Sequence, residues 1–173
     1  MPTISPSLSR APAKARWQRK YAGKTSPETA VDITSNVRRR SAISAARASS
    51  EASGHSGRLA NDGNAATFWR AEATDTNAWL CIDLERIVTV STVKLSFPFD
   101  GNWRYRVEIS DDGNSGWKVV SDQTHNASSV KTQTLSGVNS ARGRFLRVAF
   151  VGTRDAKLAA LAEVAVLGNL SAQ

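Results

Sequence analysis

The chain has 173 residues, of which 40% are hydrophobic and 22% are charged, a composition typical of a globular protein with one domain. Its single cysteine, Cys81, excludes an internal disulfide and a cysteine-based zinc site, and its two histidines do not favour a histidine metal cluster. No apolar run approaches the ~20 residues of a membrane-spanning helix, and no hydrophobic signal-peptide core follows Met1.

The net charge of +8 is concentrated near the N-terminus. Residues 1–40 carry nine basic and two acidic side chains, whereas residues 41–173 carry fourteen basic and thirteen acidic ones. A basic arm can neutralise phosphates or another acidic polymer, but it is as often a soluble linker. Because the remainder is nearly neutral, the sequence does not favour nucleic-acid binding as the main function.

The N-terminal arm, residues 1–40, has no sustained hydrophobic period. Ser26-Pro27-Glu28 has the N-cap and first-turn residues of a short helix. The alternation of Val31 and Ile33 instead favours a strand, and the sequence leaves both alternatives open. We expect the folded domain to cover residues 41–169, with a short tail at 170–173.

From Ser41 onward, short segments rich in β-branched and aromatic residues alternate with Gly, Asn, Asp and Ser clusters. No long helical period interrupts them. This pattern predicts an all-β fold, an antiparallel jelly-roll β-sandwich of about eight strands preceded by the basic arm. The predicted strands are Ile43–Ala48, Trp79–Leu84, Ile87–Phe97, Trp103–Ser110, Trp117–Ser121, Val130–Leu135, Phe145–Val151 and Leu161–Leu167.

The stretch Arg58–Trp69 contains a candidate cation loop, with Asp62, Asn64 and Thr67 arranged around Gly63. Side-chain oxygens at this spacing suit a hard cation, and a glycine lets the backbone fold back so that carbonyl groups can join them. An isolated Asp-Gly-Asn is more often a solvated turn. The loop alone therefore does not decide between these interpretations.

The order of several segments resembles the coagulation factor 5/8 type C, or discoidin, domain. Within that family the sequence is most similar to the bacterial branch, carbohydrate-binding module family 32, which has a galactose-binding-like fold. The resemblance covers roughly residues 41–169. The segments that carry it are ARASS (46–50), ANDGNAATFW (60–69), WLCIDL (79–84), YRVEISDDGNSGW (105–117), RFLRV (144–148) and AEV (162–164).

The resemblance implies a structural calcium site that joins the first loop to the last strand. Calcium takes 6–8 oxygen ligands, and two carboxylates with four neutral oxygens meet that need. Asn64 stands where an aspartate is common in the family, which implies a lower affinity. The implied ligands are the side chains of Asp62, Asn64, Thr67 and Glu163 and the backbone carbonyls of Leu59 and Ala162.

The resemblance also implies a sugar site on loops at one end of the sandwich, but the usual galactose-reading residues are mostly missing. Glu72 replaces the expected histidine, and no arginine precedes Asn102. Either this chain binds a different glycan or it has lost sugar binding. Trp103 is a core residue or a sugar platform, and Phe99 is the better candidate for an exposed, stacking aromatic ring. The candidate ligand-binding residues are Glu72, Phe99, Asp100, Asn102, Trp103, Lys157 and Leu158.

Other residues have structural interpretations. We expect a hydrogen-bonded Asp83, a partly buried and unreactive Cys81, and Arg144 and Arg147 on a strand face near Glu108. The expected core aromatics are Trp69, Trp79, Trp117 and Phe145.

These patterns predict a non-catalytic carbohydrate-binding module, an accessory domain of a secreted or periplasmic bacterial glycoside hydrolase. Its expected partners are a glycan, galactose-type or other, and further domains of that enzyme. The alternative is a protein-interaction or structural β-sandwich whose basic arm docks a partner or an acidic polymer. A stand-alone enzyme is not favoured, because no pattern pairs the loop carboxylates Asp75, Asp100 and Asp155.

Overall fold

The computed structural model describes residues 30–35, 46–153 and 159–170, with the backbone alone at residues 139–140 and 152–153. Most of the predicted arm and the end of the predicted tail therefore lie outside the described residues. Residues 33–35 are helical, and a 3-10 helix spans Gly57–Asn61. The strands are β1 Val31–Asp32, β2 Ala46–Ala48, β3 Trp69–Arg70, β4 Trp79–Gly101, β5 Trp103–Ser110, β6 Lys118–Asp122, β7 Val130–Thr153, β8 Ala160–Leu161 and β9 Glu163–Leu170.

All strand pairs in the described part of the chain are antiparallel, which confirms the predicted β-sandwich. The first half of β4 pairs with β2 and with the second half of β7, and β5 and β6 complete this layer. The second half of β4 pairs with β9 and with the first half of β7, and β1 borders this second layer. Two separately predicted strands, 79–84 and 87–97, are thus two parts of one long strand that changes its pairing after Asp83.

Side chains from both layers enclose one hydrophobic core. In β5, which has the bounds predicted from the sequence, alternation points Val107 and Ile109 inward. In β4 the alternation is interrupted because a register shift lies between Val90 and Thr92. The irregularity explains why Val90 and Val93, three residues apart, are both completely buried.

Of the aromatics expected in the core, Trp69 is fully buried, but Trp79, Trp117 and Phe145 are only half-buried. The core assignment was wrong for these three. Arginines cover two of them: the Arg147 guanidinium lies 4.1 Å from the Trp117 ring centroid, and that of Arg144 lies 5.0 Å from the Phe145 centroid. Cation–π contacts thus shield rings on the outer face of a sheet.

The same arginines form ion pairs. Arg144 binds both carboxylate oxygens of Asp83 at 2.8 Å, and Arg147 binds Glu108. Partial burial acts to raise the pKa of Asp83, but the Arg144 hydrogen bonds prevail and lower it. Asp83 is therefore hydrogen-bonded, as expected, and its donors are Arg144 on β7 and the Glu85 backbone N–H. Cys81, on β4, is almost completely buried, which is deeper than predicted.

Residues 30–35, which were predicted to belong to the arm, pack against the sandwich. Val31 and Asp32 pair with β9, but Ile33 belongs to the helical residues 33–35, so the strand predicted from Val31 and Ile33 is confirmed only at Val31. The alternative helix start at Ser26-Pro27-Glu28 lies outside the described residues. Ile33 enters the core, and the buried hydroxyl of Thr34 accepts a hydrogen bond from the Val166 backbone N–H at 3.1 Å. The folded domain therefore begins before Ser41.

The part of the chain that the structure describes contains no helix that is long and apolar enough to cross a membrane.

Candidate functional site

Most of the predicted site lies on two loops and on the end of β4, which meet at one end of the sandwich; Phe99 and Asp100, expected on a loop, are the last part of this strand. Backbone pairing brings Thr153 beside Trp103, and the N–H of Ala71 donates to the carbonyl of Ala159. The N–H of Ala162 donates to the carbonyl of Ser96, two residues before the 98–102 segment. We call this end, formed by residues 59–67, 71–77 and 98–102, the loop end. Lys157 and Leu158 lie outside the described residues, between Thr153 and Ala159.

Phe99 is the exposed aromatic residue of the loop end, with 39% of its surface accessible. Its ring centroid lies 5.1 Å from that of Trp103, which in turn stacks on Phe97 at 4.7 Å with an interplanar angle of 8°. The Trp103 indole N–H also donates to the carbonyl of Phe99 at 3.3 Å. The Phe99 ring thus packs against the aromatic stack that Trp103 and Phe97 form.

Trp103 itself does not offer a ring face to a ligand. Its exposure is 1%, because it is the first residue of β5 and its side chain points into the core. Of the two alternatives left open by the sequence, the core assignment is correct. The indole supports the candidate site instead of forming its surface.

The polar candidates occupy two neighbouring segments. Glu72 and Asp100 are exposed, and Asn102 is half-buried. The Glu72 backbone N–H donates to the Ser50 hydroxyl at 3.1 Å, which ties its loop to the end of β2. Glu72 belongs to the 71–77 segment and Phe99 to the 98–102 segment, so the loop end contains residues of both hydrogen-bonding and stacking character.

Asp75 anchors the Glu72 loop, a role that the sequence did not reveal. One of its carboxylate oxygens accepts hydrogen bonds from the hydroxyls of Ser49 at 2.6 Å and Ser50 at 2.7 Å, and the other accepts from the Asn77 N–H. Slight burial acts to raise the pKa of Asp75, but these hydrogen bonds lower it overall. Ser49 and Ser50 are adjacent hydroxyl residues that the sequence shows, but no local pattern connects them to Asp75, which follows Ser50 by 25 residues.

The candidate cation loop follows the 3-10 helix and is organised around Asp62. Its carboxylate accepts hydrogen bonds from the Asn64 N–H at 2.8 Å and the Thr67 hydroxyl at 2.7 Å. Gly63 has a φ of 85°, the left-handed conformation that its position predicted. The side chains of Asp62 and Thr67 are therefore in direct contact, with Asn64 between them in sequence.

The structure brings Glu163 to this loop from the far part of the sequence. Its carboxylate accepts a hydrogen bond from the Gly63 backbone N–H at 2.5 Å, although the two residues are 100 positions apart. The described residues contain no group of three or more His, Cys, Asp or Glu side chains suited to a metal ion. A cation here would thus depend on two carboxylates and on neutral oxygens, which is a donor set that suits calcium better than a transition metal.

An all-β sandwich with its candidate ligand groups on loops at one end is the architecture of a binding module. A family model described as the F5/8 type C domain matches residues 45–164. The chain belongs to the F5/8 type C domain family. No curated protein matches the chain significantly.

Solved structures share this fold at low sequence identity. CpGH89CBM32-4 of Clostridium perfringens, solved in complex with GlcNAc-α-1,4-galactose, has 21% identity and a TM-score of 0.64, and the match covers 85% of this chain and all of that one. The family 32 carbohydrate-binding module of C. perfringens NanJ, in complex with galactose, has 17% identity and a TM-score of 0.61, covering 80% and 98%. A chitosan-binding module from a chitosanase/glucanase of Paenibacillus sp. IK-5 has 23% identity and a TM-score of 0.64, covering 72% and 94%.

Proposed function

We propose that this chain is a non-catalytic carbohydrate-binding module that holds a glycan at its loop end. The observation that carries the proposal is Phe99, an exposed ring fixed on the buried Trp103 and Phe97. An aromatic face that is held in place can stack on the apolar face of a sugar without losing much side-chain entropy on binding. Glu72, Asp100 and Asn102 supply hydrogen-bonding groups on the adjoining segments, and Lys157 and Leu158 belong to the same proposed site.

The relatives support both the ligand class and the setting. Structures with this fold are named as carbohydrate-binding modules, and a longer C. perfringens GH89 structure contains the fold in a match that covers 15% of its chain. We infer that this chain acts as an accessory domain of a larger bacterial glycoside hydrolase that works outside the cytoplasm. The glycan differs from plain galactose, because Glu72 stands where the family places its galactose-reading histidine.

We further propose that calcium binds between the candidate cation loop and Glu163. The contact between Gly63 and Glu163 supports this, because it joins the two halves of the implied ligand set. The ion would take the side-chain oxygens of Asp62, Asn64, Thr67 and Glu163 and the carbonyl oxygens of Leu59 and Ala162. Its role would be structural, since it would fix the first loop to the start of β9.

The glycan proposal is tested with the full chain on a glycan array, followed by calorimetric titration of the strongest ligand. Phe99→Ala should weaken binding at least tenfold, because the stacking ring is lost, and Phe99 is not itself one of the buried core residues. Val119→Ala is the matched control, since Val119 is an exposed apolar residue on β6, away from the loop end. Absence of binding to every glycan, or unchanged affinity in Phe99→Ala, would refute the site.

The calcium proposal is tested by thermal unfolding of the metal-free protein with increasing calcium. Calcium, but not an equal concentration of magnesium, should raise the Tm, and Glu163→Gln should abolish the increase. Asp111→Asn is the control, because it removes an exposed carboxylate from a different turn. A calcium effect that persists in both Glu163→Gln and Asp62→Asn would place the ion elsewhere.

A further inference from the structure

Arg70 is the last residue of β3 and stands where the chain enters the loop end. Its backbone is held on both sides, because its N–H donates to the His55 carbonyl and its carbonyl accepts from the Ala52 N–H. Across the short sheet, Arg70 pairs with Ala160 of β8. The preceding Trp69 is completely buried in the core, so the Arg70 side chain lies on the opposite side of β3. The fold therefore places this side chain beside the loop end on a fixed backbone.

The guanidinium of Arg70 differs from those of Arg106, Arg144 and Arg147, which each form an ion pair with a carboxylate. Arg70 is half-buried, and its buried Nε–H has no acceptor in the described part of the chain. Arg104 shares this feature, but it lies on the outer face of a sheet. A buried donor without an acceptor destabilises a folded protein, so such a group calls for an explanation. Since Arg70 borders the loop end, a bound glycan can supply the acceptor.

The charges at the loop end favour an uncharged group as this acceptor. The three loop-end segments contain no lysine or arginine, and even with Lys157 of the proposed site the acidic side chains are in excess. These carboxylates disfavour an anionic sugar, and the Arg70 guanidinium disfavours a cationic sugar beside it. The acidic residues of the three segments are Asp62, Glu72, Asp75 and Asp100.

Sugar hydroxyl groups match the hydrogen-bonding capacity of Arg70 and Glu72. The Nε–H edge of a guanidinium presents two parallel N–H donors, which suit two neighbouring oxygen atoms. Glu72 is exposed two residues after Arg70, and its carboxylate offers an acceptor for a hydroxyl proton. A hydroxyl both accepts and donates, whereas a carboxylate or an acyl oxygen only accepts. Two adjacent hydroxyls of one sugar can therefore use the donor and the acceptor together.

We propose that Arg70 binds the glycan directly and that, with Glu72, it restricts the loop end to uncharged sugars, which it recognises through a pair of adjacent hydroxyls. The inference rests on the proposed carbohydrate-binding function, but it assigns specificity to a residue outside the stacking ring of Phe99. Because the recognised groups are uncharged, the affinity should change less than about twofold between low and high salt.

The test is an NMR titration of the ¹⁵N-labelled full chain that follows the arginine Nε–H signals, with Arg70→Lys identifying the signal of Arg70. The ligands are glucose, galactose, mannose and N-acetylglucosamine, and sodium glucuronate and glucosamine are the charged comparisons at matched ionic strength. At least one uncharged sugar should shift the Arg70 Nε–H and the Phe99 amide saturably with the same Kd. Both charged sugars should bind at least tenfold more weakly.

Arg70→Met should weaken binding at least tenfold without lowering the Tm, because the buried Nε–H has no protein acceptor to lose. Arg70→Lys keeps the charge but not the edge with two donors, so it should recover only part of the affinity. Arg86→Met is the matched control, since Arg86 is an exposed arginine in the irregular part of β4 between Asp83 and Val88. It should leave the affinity unchanged.

Several outcomes would overturn the proposal. Shifts at Phe99 without a shift of the Arg70 Nε–H, or unchanged affinity in Arg70→Met, would show that Arg70 does not bind the sugar, while the proposed function would stand. Equal binding of glucuronate or glucosamine would refute the restriction to uncharged sugars. If Arg70→Met also lowers the Tm, the Nε–H shift of the wild type decides between direct contact and structural support. Absence of loop-end shifts with every sugar would overturn this inference and the proposed function together.

Discussion

Replacing Tyr105 with phenylalanine should stabilise the protein. The Tyr105 side chain is completely buried beside Phe97 and Phe150, and its hydroxyl has no hydrogen-bond partner in the described part of the chain. A buried hydroxyl without a partner costs about 1–3 kcal/mol relative to one that is solvated. Tyr105→Phe removes the hydroxyl and keeps the ring. We expect the free energy of unfolding to rise by about 1 kcal/mol and the Tm by about 2–4 °C.

The effect should increase at alkaline pH. Burial raises the pKa of the Tyr105 phenol, so near pH 10 the hydroxyl ionises in the unfolded chain but stays neutral in the folded protein. The free energy of unfolding is therefore unaffected by this ionisation below about pH 10. It falls as the pH rises from there toward the folded-state pKa of Tyr105. Tyr105→Phe removes this loss, so the difference between variant and wild type should widen above pH 10.

The measurement is urea unfolding followed by tryptophan fluorescence at pH 7 and pH 10.5. Tyr105→Leu is the control, because it also removes the hydroxyl but leaves a cavity, and it should lower stability by about 2 kcal/mol. If Tyr105→Phe instead lowers the free energy of unfolding by 1 kcal/mol or more at pH 7, the hydroxyl has a partner, such as an ordered water, and the reasoning is wrong.

Three further substitutions test the packing. Arg147→Ala should lower the free energy of unfolding by about 2 kcal/mol, because it removes a part-buried ion pair with Glu108 and uncovers the Trp117 indole ring. A double-mutant cycle with Glu108→Gln measures the energy of the ion pair itself. Gly113→Ala should cost about 1–3 kcal/mol in urea unfolding, because φ is 74° and a Cβ would lie 2.7 Å from a neighbouring phenyl ring. Ile33→Ala should cost about 2–4 kcal/mol if residues 30–35 belong to the fold, whereas a change below 0.5 kcal/mol would show that they do not.

Much of the sandwich could be predicted because its signals are local. Period-two alternation located β5 with both of its ends correct, and the ordered motifs indicated the family. Relative to β9, β4 has one extra residue between Val90 and Thr92, which blurred its pattern because it changes the face that the following side chains occupy. The two-residue strand β3 was missed because so short a segment carries no period.

The errors concern contacts between distant segments. Trp117 and Phe145 have the composition of core residues, but they lie on the outer face of a sheet. Arg147 on β7 covers Trp117, and Arg47 on β2 lies over Phe145 together with its sequence neighbour Arg144. That arrangement depends on the strand register, which no local pattern reveals. The same holds for Asp75, whose serine partners lie on the other side of the cation loop in sequence. Glu163 was assigned to the cation loop only through the family resemblance, and its contact with Gly63 agrees with that assignment.

The pairing of β1 with β9 has a practical consequence for how the domain is oriented. Val31 pairs with Gly168, and Leu170 pairs with Val88, so the chain enters and leaves the sandwich away from Ser96 and the loop end. A purification tag, a surface anchor or a neighbouring domain joined at either position would therefore point away from Phe99. Anything attached close to Leu170 would therefore leave the loop end facing solution.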